Sequence, residues 1–153
     1  MGFWSKVIDG YKGAGILYYH IETSGQAWVI LGLRRIHPDI NTWSIPGGKR
    51  KWNDQSPLEN AMREADEEGF IVPENEREEL KAQPRRFVFP IIHFFEWSTY
   101  IVKLRERPPL DAWPEKTRDF RHEFSEAQWF ATNDLPTNTH IGVKLSLLGR
   151  TLR

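Results

Sequence analysis

The chain has 153 residues, of which 39% are hydrophobic and 13% aromatic, so it can bury a proper core and predicts a single domain over residues 1–153. Its 21 Lys and Arg residues balance 21 Asp and Glu residues, which excludes a global positive field for nucleic acid. The absence of Cys excludes disulfides, thiolate nucleophiles and zinc–thiolate clusters, and it leaves metal binding to carboxylates and His.

The N-terminal segment lacks the charged and apolar regions of a signal peptide, and no later segment approaches the ~20 apolar residues of a membrane span. A chain without Cys is also compatible with the cytosol. We therefore expect a soluble, cytoplasmic protein with no membrane partner.

A β-hairpin is the first element predicted along the chain. Gly15 to Ile21 and Ala27 to Leu33 are rich in β-branched and aromatic residues, and the intervening Thr23-Ser24-Gly25-Gln26 has the composition of a turn. A short strand is predicted from Trp43 to Ile45, where Pro46 and two glycines stop it before a polar loop.

A helix that begins with Ser56-Pro57-Leu58-Glu59 follows this loop. Ser can cap its N-terminus, Pro suits the first helical position, and the Glu three residues after the Ser completes a capping box. The helix is predicted to reach about Glu68, because Gly69 can supply the left-handed C-terminal residue and Pro73 prevents continuation.

The second half of the chain predicts further strands, a long loop and a closing helix. The strands are Phe87 to Phe95, Trp97 to Leu104 and Gln128 to Ala131. The segment from Arg105 to Arg121 contains Pro and mixed charges and is interpreted as a loop over a site. From Thr139 to about Leu152, apolar residues recur at helical spacing.

The helix after Ser56 carries acidic residues next to its apolar face. A helical projection places three carboxylates, Glu64, Glu67 and Glu68, on the arc beside Leu58, Ala61, Met62 and Ala65. Carboxylates that border the core attract a divalent cation more strongly than solvated ones, and without metal their repulsion should raise at least one pKa. The alternative is an ordinary solvated acidic face, where most Glu residues lie.

A glycine turn, Pro46-Gly47-Gly48, precedes this acidic helix. Mg²⁺ usually binds through a few carboxylates plus substrate phosphates, so the turn and the helix together favour a metal site for phosphate chemistry. Arg63 lies one turn from Glu59 and Glu67 and could offset their repulsion or orient a ligand.

These residues resemble the Nudix box. In that motif a Gly is followed after five residues by Glu, and after seven more by Arg-Glu, an aliphatic residue, any residue, Glu-Glu, any residue, Gly and a second aliphatic residue. The matching positions of this chain hold Gly48, Arg63, Glu64, Ala65, Glu67 and Glu68.

The chain departs from the motif at three points. Six residues separate Gly48 from Gln55, and Gln55 stands where the family has its first Glu. Gly69 comes one position early, which leaves Phe70 in the glycine position. Loss of the first Glu removes a charge that bears on metal number and turnover, whereas the early glycine ends the helix one residue sooner.

The resemblance implies an α/β fold, a Nudix-type α/β/α sandwich with a mixed β-sheet between helices. It implies Mg²⁺- or Mn²⁺-dependent hydrolysis of the pyrophosphate bond in a nucleoside diphosphate linked to another moiety, such as a nucleoside triphosphate or a nucleotide sugar. Glu64, Glu67 and Glu68, with the Gly47 carbonyl, would hold a metal that activates the attacking water. Glu64 or Glu68 would take the proton, and Arg63 belongs to the same set.

Family members often add a base or ligand from a loop before the last strand. Glu123, next to His122, is the candidate for this role, with Glu126 as its competitor. His122 could instead be an ordinary surface residue.

Substrate contacts are predicted for Arg34 and Arg35 after the second strand and for Arg118 in the long loop, where Arg121 is a further candidate. Trp113 is the indole predicted to stack on the ligand. Trp43 and Trp97 could stack on a base as well, but aromatic residues in a chain of this size more often fill the core.

A hydrolase that acts on a small nucleotide is favoured over two alternatives, because the carboxylates of the box are retained. One alternative is a catalytically weak or inactive nucleotide-binding module, which Gln55 would explain. The other acts on capped RNA, but a chain with no net charge and no basic stripe is not expected to bind nucleic acid. The resemblance also allows a homodimer.

Overall fold

The structure is a computed structural model that describes residues 11–92, 95–148 and 152–153. Its strands are β1 (Tyr11–Ile21), β2 (Ala27–Arg34), β3 (Trp43–Ser44), β4 (Gly47–Lys49), β5 (Arg86–Ile92), β6 (Phe95–Lys103) and β7 (Phe124–Ala131). Its helices are α1 (Pro57–Glu67), α2 (Glu74–Ala82), α3 (Arg118–Glu123) and α4 (Ile141–Leu147). The predicted strand to Phe95 and the predicted closing helix each include residues outside this description, as does the N-terminal segment.

The strands form one mixed sheet in the order β3-β2-β1-β6-β5, with β4 also paired to β1 and β7 also paired to β2. The predicted hairpin is confirmed, since β1 and β2 are antiparallel with Tyr19 opposite Val29. Among the pairs formed by two of the described strands, only that of β1 with β6 is parallel. β1 therefore lies at the centre, next to the glycine strand β4 that faces the acidic helix.

The side chains of β1 alternate between two hydrophobic clusters, because successive residues of a strand point to opposite faces. On one face, Ile16 and Tyr18 pack with residues of the first three helices, among them Ala61, Ala65, Leu80 and Phe120. On the other face, Leu17 and Tyr19 pack with Val143 of α4. The predicted α/β/α sandwich is thus confirmed, with helices on both faces of a mixed sheet.

Helix α2 was not predicted. Pro73, which prevents continuation of α1, is also the N-terminal boundary of α2, and Glu74 and Glu76 occupy its first turn. The helix is short and strongly charged, so its apolar periodicity is weak. A tertiary contact fixes it instead, because Arg77 forms a salt bridge of 2.8 Å with Asp66 of α1.

Three boundaries also differ from the sequence prediction. The segment predicted as a loop to Arg121 contains the start of α3, which Thr117 caps through a 3.0 Å hydrogen bond from the Phe120 N–H. β7 starts at Phe124, earlier than predicted, because burial of this ring joins the strand directly to α3. Helix α4 ends at Leu147.

In the described part of the chain, no helix has the length and apolarity to span a membrane.

Candidate active site

Helix α1 presents its carboxylates beside the core, as predicted. The Ser56 hydroxyl accepts a 3.1 Å hydrogen bond from the Glu59 N–H and caps the helix. The Glu59 carboxylate accepts from the Gln55 N–H at 2.6 Å, so the reciprocal capping bond is made one residue earlier than in a standard box. Ala61 and Ala65 are fully buried, which fixes the rotation of the helix and turns Glu64 and Glu68 toward the sheet.

Glu68 is the most buried of these carboxylates, with only 2% of the residue exposed. Its Oε2 atom has no hydrogen-bond partner among the described residues, and its carboxylate accepts a hydrogen bond from the Gly47 N–H. Burial raises the pKa of Glu68 well above its usual range, and the charges of Glu123 and Glu64 raise it further. The predicted pKa increase is present, but burial rather than repulsion is its main cause.

Glu64 lies directly against the backbone of Gly48. A Cβ atom added to Gly48 would stand 2.7 Å from the carboxyl carbon of Glu64, so a side chain there would displace it. Asn60, one turn earlier on α1 and almost fully buried, donates a 3.2 Å hydrogen bond to the Gly48 carbonyl. Sequence reasoning did not single out Asn60, although a buried amide close to the glycine turn is well placed to tie α1 to β4.

Arg63 connects three carboxylates at the edge of this face. Its guanidinium donates to Asp54 at 2.7 and 2.9 Å, to Glu64 at 3.0 Å and to Glu67 at 3.3 Å. Glu59 is not among these partners. The predicted orienting position of Arg63 therefore fits the structure for Glu67 and adds Glu64 and Asp54.

Asp54, and not Gln55, makes the charged contact with Arg63 that is expected from the first Glu of the motif. Five residues separate Gly48 from Asp54, so the first spacing of the box is kept and the extra residue lies after Asp54. Asp54 is buried, and the hydrogen bond from Arg63 lowers its pKa. Gln55 is exposed. Counting forward from Gly48, rather than backward from Arg63, would have found this residue.

Glu123, at the end of α3, faces the same region. Its carboxylate lies 3.6 Å from the Arg34 guanidinium, and its carbonyl accepts a 2.8 Å hydrogen bond from the Arg35 N–H. Burial raises the pKa of Glu123, and its charge is close enough to Glu68 to raise the pKa of that residue too. Glu126 is exposed and contacts Gln128, so the structure brings Glu123 and not Glu126 to α1.

A positively charged cavity of about 500 Å³ adjoins Glu123. It is lined by Arg35, Ile36, Arg118, Asp119, Arg121 and His122. Arg35 is held in place by a 2.8 Å hydrogen bond from its guanidinium to the Arg121 carbonyl. Three of the predicted phosphate-binding residues, Arg35, Arg118 and Arg121, thus share one cavity, while Arg34 pairs with Glu123 beside it.

A family model for the NUDIX domain matches residues 12–146, which include every strand and helix described above except the ends of β1 and α4. The chain belongs to the Nudix hydrolase family. This membership confirms the prediction of an enzyme of the pyrophosphohydrolase type. A comparison with curated proteins gave no significant match.

Solved Nudix structures share this fold at low sequence identity. A MutT Nudix hydrolase from Burkholderia pseudomallei matches at 21% identity and a TM-score of 0.61, over 92% of this chain and 98% of its own. A MutT/nudix family protein from Enterococcus faecalis matches at 20% identity and a TM-score of 0.59, over 80% of this chain but only 44% of its own. The Nudix domain of Shewanella oneidensis NrtR, solved with ADP-ribose, matches at 14% identity and a TM-score of 0.55, over 86% of this chain and 84% of its own.

Trp113 has a packing position in this Nudix fold. Its ring meets Tyr18 and Phe70 edge to face, with centroid distances of 5.0 and 5.6 Å, and its Nε1 donates to the Ile71 carbonyl at 3.1 Å. Phe70, which replaces the glycine of the motif, is fully buried at the centre of this cluster. These contacts occupy the Trp113 ring, so the structure does not favour the predicted stacking of this indole on a ligand.

The donor set of the site fits a divalent cation, although it is not arranged as a finished ligand set. The unpartnered Oε2 of Glu68 and the nearby Glu64 and Glu123 carboxylates are hard oxygen donors whose charges a cation would offset. Across residues 11–92, 95–148 and 152–153, no three acidic or His side chains already surround one point. Glu64 and Glu67 hydrogen-bond to Arg63 instead.

We expect Asp54→Asn to lower kcat by roughly 10- to 100-fold, because Arg63 would lose the anion that holds it against Glu64. The lost charged hydrogen bonds should also lower the free energy of unfolding by roughly 1–3 kcal/mol. Gln55→Glu is the matched control and should change kcat less than about twofold. Steady-state hydrolysis and urea unfolding measure both effects, and a gain in activity for Gln55→Glu would contradict this assignment.

Proposed function

We propose that the protein hydrolyses the pyrophosphate bond of a nucleoside diphosphate linked to another moiety, with Mg²⁺ or Mn²⁺ as its cofactor. The observation that carries the proposal is the buried Glu68 carboxylate, which has an unpartnered oxygen beside Glu64 and Glu123. A buried carboxylate with one oxygen that lacks a hydrogen-bond partner costs stability, and such a group is typical of a functional site. The glycine strand β4 and Arg63 hold this carboxylate set in place.

The residues that would hold the metal are Glu64, Glu67, Glu68 and the Gly47 carbonyl. When bound, the metal neutralises pyrophosphate oxygens and lowers the pKa of the attacking water. Arg63 orients Glu64 and Glu67 through its hydrogen bonds. The proton of the attacking water would pass to Glu64, Glu68 or Glu123, the carboxylates whose pKa values are raised by burial.

The substrate is proposed to be a small nucleotide. Arg34, Arg35 and Arg118 supply guanidinium groups that suit phosphate oxygens, and Arg35 and Arg118 line a cavity large enough for the group beyond the scissile bond. The NrtR Nudix domain with bound ADP-ribose is one precedent for such a ligand. Cytoplasmic location, a homodimer and little affinity for nucleic acid belong to the same proposal.

A nucleotide-binding module with weak or no catalysis is the second candidate. Arg63 already neutralises Glu64 and Glu67, and the described residues contain no finished metal-ligand set. In such a module, the guanidinium would replace the metal and the arginine cavity would bind the phosphates. The two candidates differ in turnover. Only the hydrolase is expected to release products, and it needs a divalent cation to do so.

The experiment that separates them is product release from nucleoside triphosphates, nucleotide sugars, ADP-ribose and dinucleoside polyphosphates, with Mg²⁺, Mn²⁺ or EDTA. We expect turnover of at least one compound that requires the cation and falls by about 10²-fold or more in Glu67→Gln. Glu126→Gln removes the same charge from an exposed position and should retain activity. Nucleotide binding without turnover in any condition would replace the hydrolase by the binding module.

A further inference from the structure

Trp52 stands out because 96% of it is exposed, although an indole is among the most favourable side chains to bury. The other described tryptophans are buried or half-buried: Trp28, Trp43, Trp97, Trp113 and Trp129. Trp52 lies in the loop between β4 and α1, within the five residues that separate Gly48 from Asp54. Such exposure means that its indole contributes little to the packing of the fold.

The loop holds Trp52 at the tip of a tied turn. The Asp54 carboxylate accepts a 2.8 Å hydrogen bond from the Lys51 N–H, and the Asp54 N–H donates to the Lys51 carbonyl at 3.1 Å. Arg50 adds a 3.2 Å hydrogen bond from its Nε to the Asp54 carbonyl. These bonds fix the backbone on both sides of Trp52, which lowers the conformational entropy that a ligand would have to remove.

The same turn is joined to the carboxylate site. Asp54 receives two hydrogen bonds from Arg63, which also contacts Glu64 and Glu67. Lys51, the residue before Trp52, has its Nζ 3.8 Å from the Glu67 carboxylate. A pyrophosphate held at these carboxylates would therefore lie beside Lys51, with the indole as the next side chain along the loop.

The charges of the loop indicate the kind of group that Trp52 meets. Lys49, Arg50 and Lys51 precede the indole in sequence and form a local positive surface on a chain with no net charge. Cations beside an exposed aromatic ring suit a ligand that combines phosphates with a planar ring. The arginine cavity beside Glu123 can take the other half of the substrate, which leaves this side for the nucleoside.

We propose that Trp52 stacks on the nucleobase of the substrate, so that the loop between β4 and α1 is the base-recognition element of the site. This inference rests on the proposed function, because it places the pyrophosphate at Glu64, Glu67 and Glu68. The indole face accepts any base, and the choice among bases is then set by stacking strength rather than by hydrogen bonds. Lys51 neutralises phosphate charge between the base and the carboxylates.

The test is isothermal titration calorimetry, in the presence of Mg²⁺, with the four α,β-methylene nucleoside diphosphates. These compounds cannot be hydrolysed between their α and β phosphorus atoms. Methylenediphosphonate is the probe that lacks a base. Trp52→Ala should weaken binding of at least one nucleotide by roughly 5- to 100-fold and leave methylenediphosphonate unchanged. Trp52→Phe, which keeps a ring, should restore most of the affinity. Leu148→Ala, a change at another exposed apolar residue, should have no effect.

Three outcomes would overturn the inference. One is equal nucleotide affinity in wild type and Trp52→Ala. Another is no preference in wild type for any nucleotide over methylenediphosphonate. The third is a single-stranded oligonucleotide that binds more tightly than the nucleotides and loses affinity in Trp52→Ala, which would assign the loop to nucleic acid. Failure of the hydrolase proposal can be distinguished from these outcomes. It would appear as an absence of turnover, and it would leave the affinity ratios between wild type and the Trp52 variants unchanged.

Discussion

Glu68→Gln is expected to stabilise the metal-free protein while it removes most of the hydrolytic activity. The substitution keeps the size of the side chain and discards a charge that is buried and incompletely hydrogen-bonded. We expect the Tm in EDTA to rise by a few degrees, which corresponds to about 1–2 kcal/mol. We expect kcat to fall by about 10²-fold or more, because a proposed metal ligand and proton acceptor is lost.

The stability gain should depend on pH in a defined direction. The folded pKa of Glu68 is raised above the unfolded value, so below the unfolded pKa of about 4.3 the residue is protonated in both states and costs nothing. As the pH rises from that value toward the raised folded pKa, the unfolded state releases its proton first and the folded state is progressively penalised. The Tm difference between Glu68→Gln and wild type should therefore grow from about pH 4 to neutral pH.

Differential scanning calorimetry at several pH values, in EDTA and in Mn²⁺, measures this effect. Mn²⁺ should stabilise wild type more than Glu68→Gln, because a cation that binds only the folded state raises its stability. Glu67→Gln is the matched comparison, since Glu67 has a side chain 39% exposed and should show little change of Tm in EDTA. A lower Tm for Glu68→Gln in EDTA would show that the Glu68 charge is satisfied in the folded state.

Gly69→Ala is expected to have the largest effect on stability. Gly69 has a φ of +85° just after α1, and a Cβ atom there would overlap the backbone carbonyl oxygen of Glu115. The clash is with backbone, so it cannot be relieved by a rotamer change. We expect a loss of roughly 3 kcal/mol or more, which adds steric overlap to the cost of a left-handed Ala.

The same overlap would disturb the site, because Gly69 anchors the long loop to the end of the acidic helix. The Gly69 carbonyl accepts a 2.8 Å hydrogen bond from the Glu115 N–H, and the Thr117 hydroxyl donates to the Glu67 carbonyl at 2.9 Å. Moving this loop would shift Glu67 and Glu68 at the end of α1. We therefore expect kcat to fall together with stability.

Gly25→Ala is the control that isolates the cost of the left-handed backbone conformation from the cost of a steric clash. Gly25 has a φ of +90° in the turn between β1 and β2, and the space around its Cβ position is open. Its substitution should cost about 1–2 kcal/mol from the left-handed conformation and leave kcat unchanged. Urea unfolding of both variants measures the difference, and equal losses would show that the contact with Glu115 is not a constraint.

Local signals explain why much of α1 could be predicted. Ser56 caps the helix, Pro57 begins it and Gly69 ends it, and each of these roles depends on neighbours within one turn. The apolar period then fixed which side of the helix is buried. The glycine strand was predicted only as a turn, because its pairing with β1 is made by residues far away in the chain.

Only the tertiary structure decided which of two adjacent residues meets Arg63. Asp54 and Gln55 are adjacent, and the motif could be aligned from either end, but folding buries Asp54 beneath the guanidinium and leaves Gln55 in solvent. The different exposures of Trp113 and Trp52 have the same origin. Both lie in connecting segments of similar polarity, and packing against Tyr18 and Phe70 draws one indole into the core while the other remains outside.

The sequence by itself determined the Nudix helix, its caps, the two central strands and the family, because these depend on short-range periodicity, turn chemistry and a local motif. The tertiary structure decided the position of Glu123, the arginine cavity and the partner of Arg63. Those features join residues separated by many positions, and their distances follow from how β7 pairs with β2 and how α3 packs on the sheet. No local pattern encodes such distances.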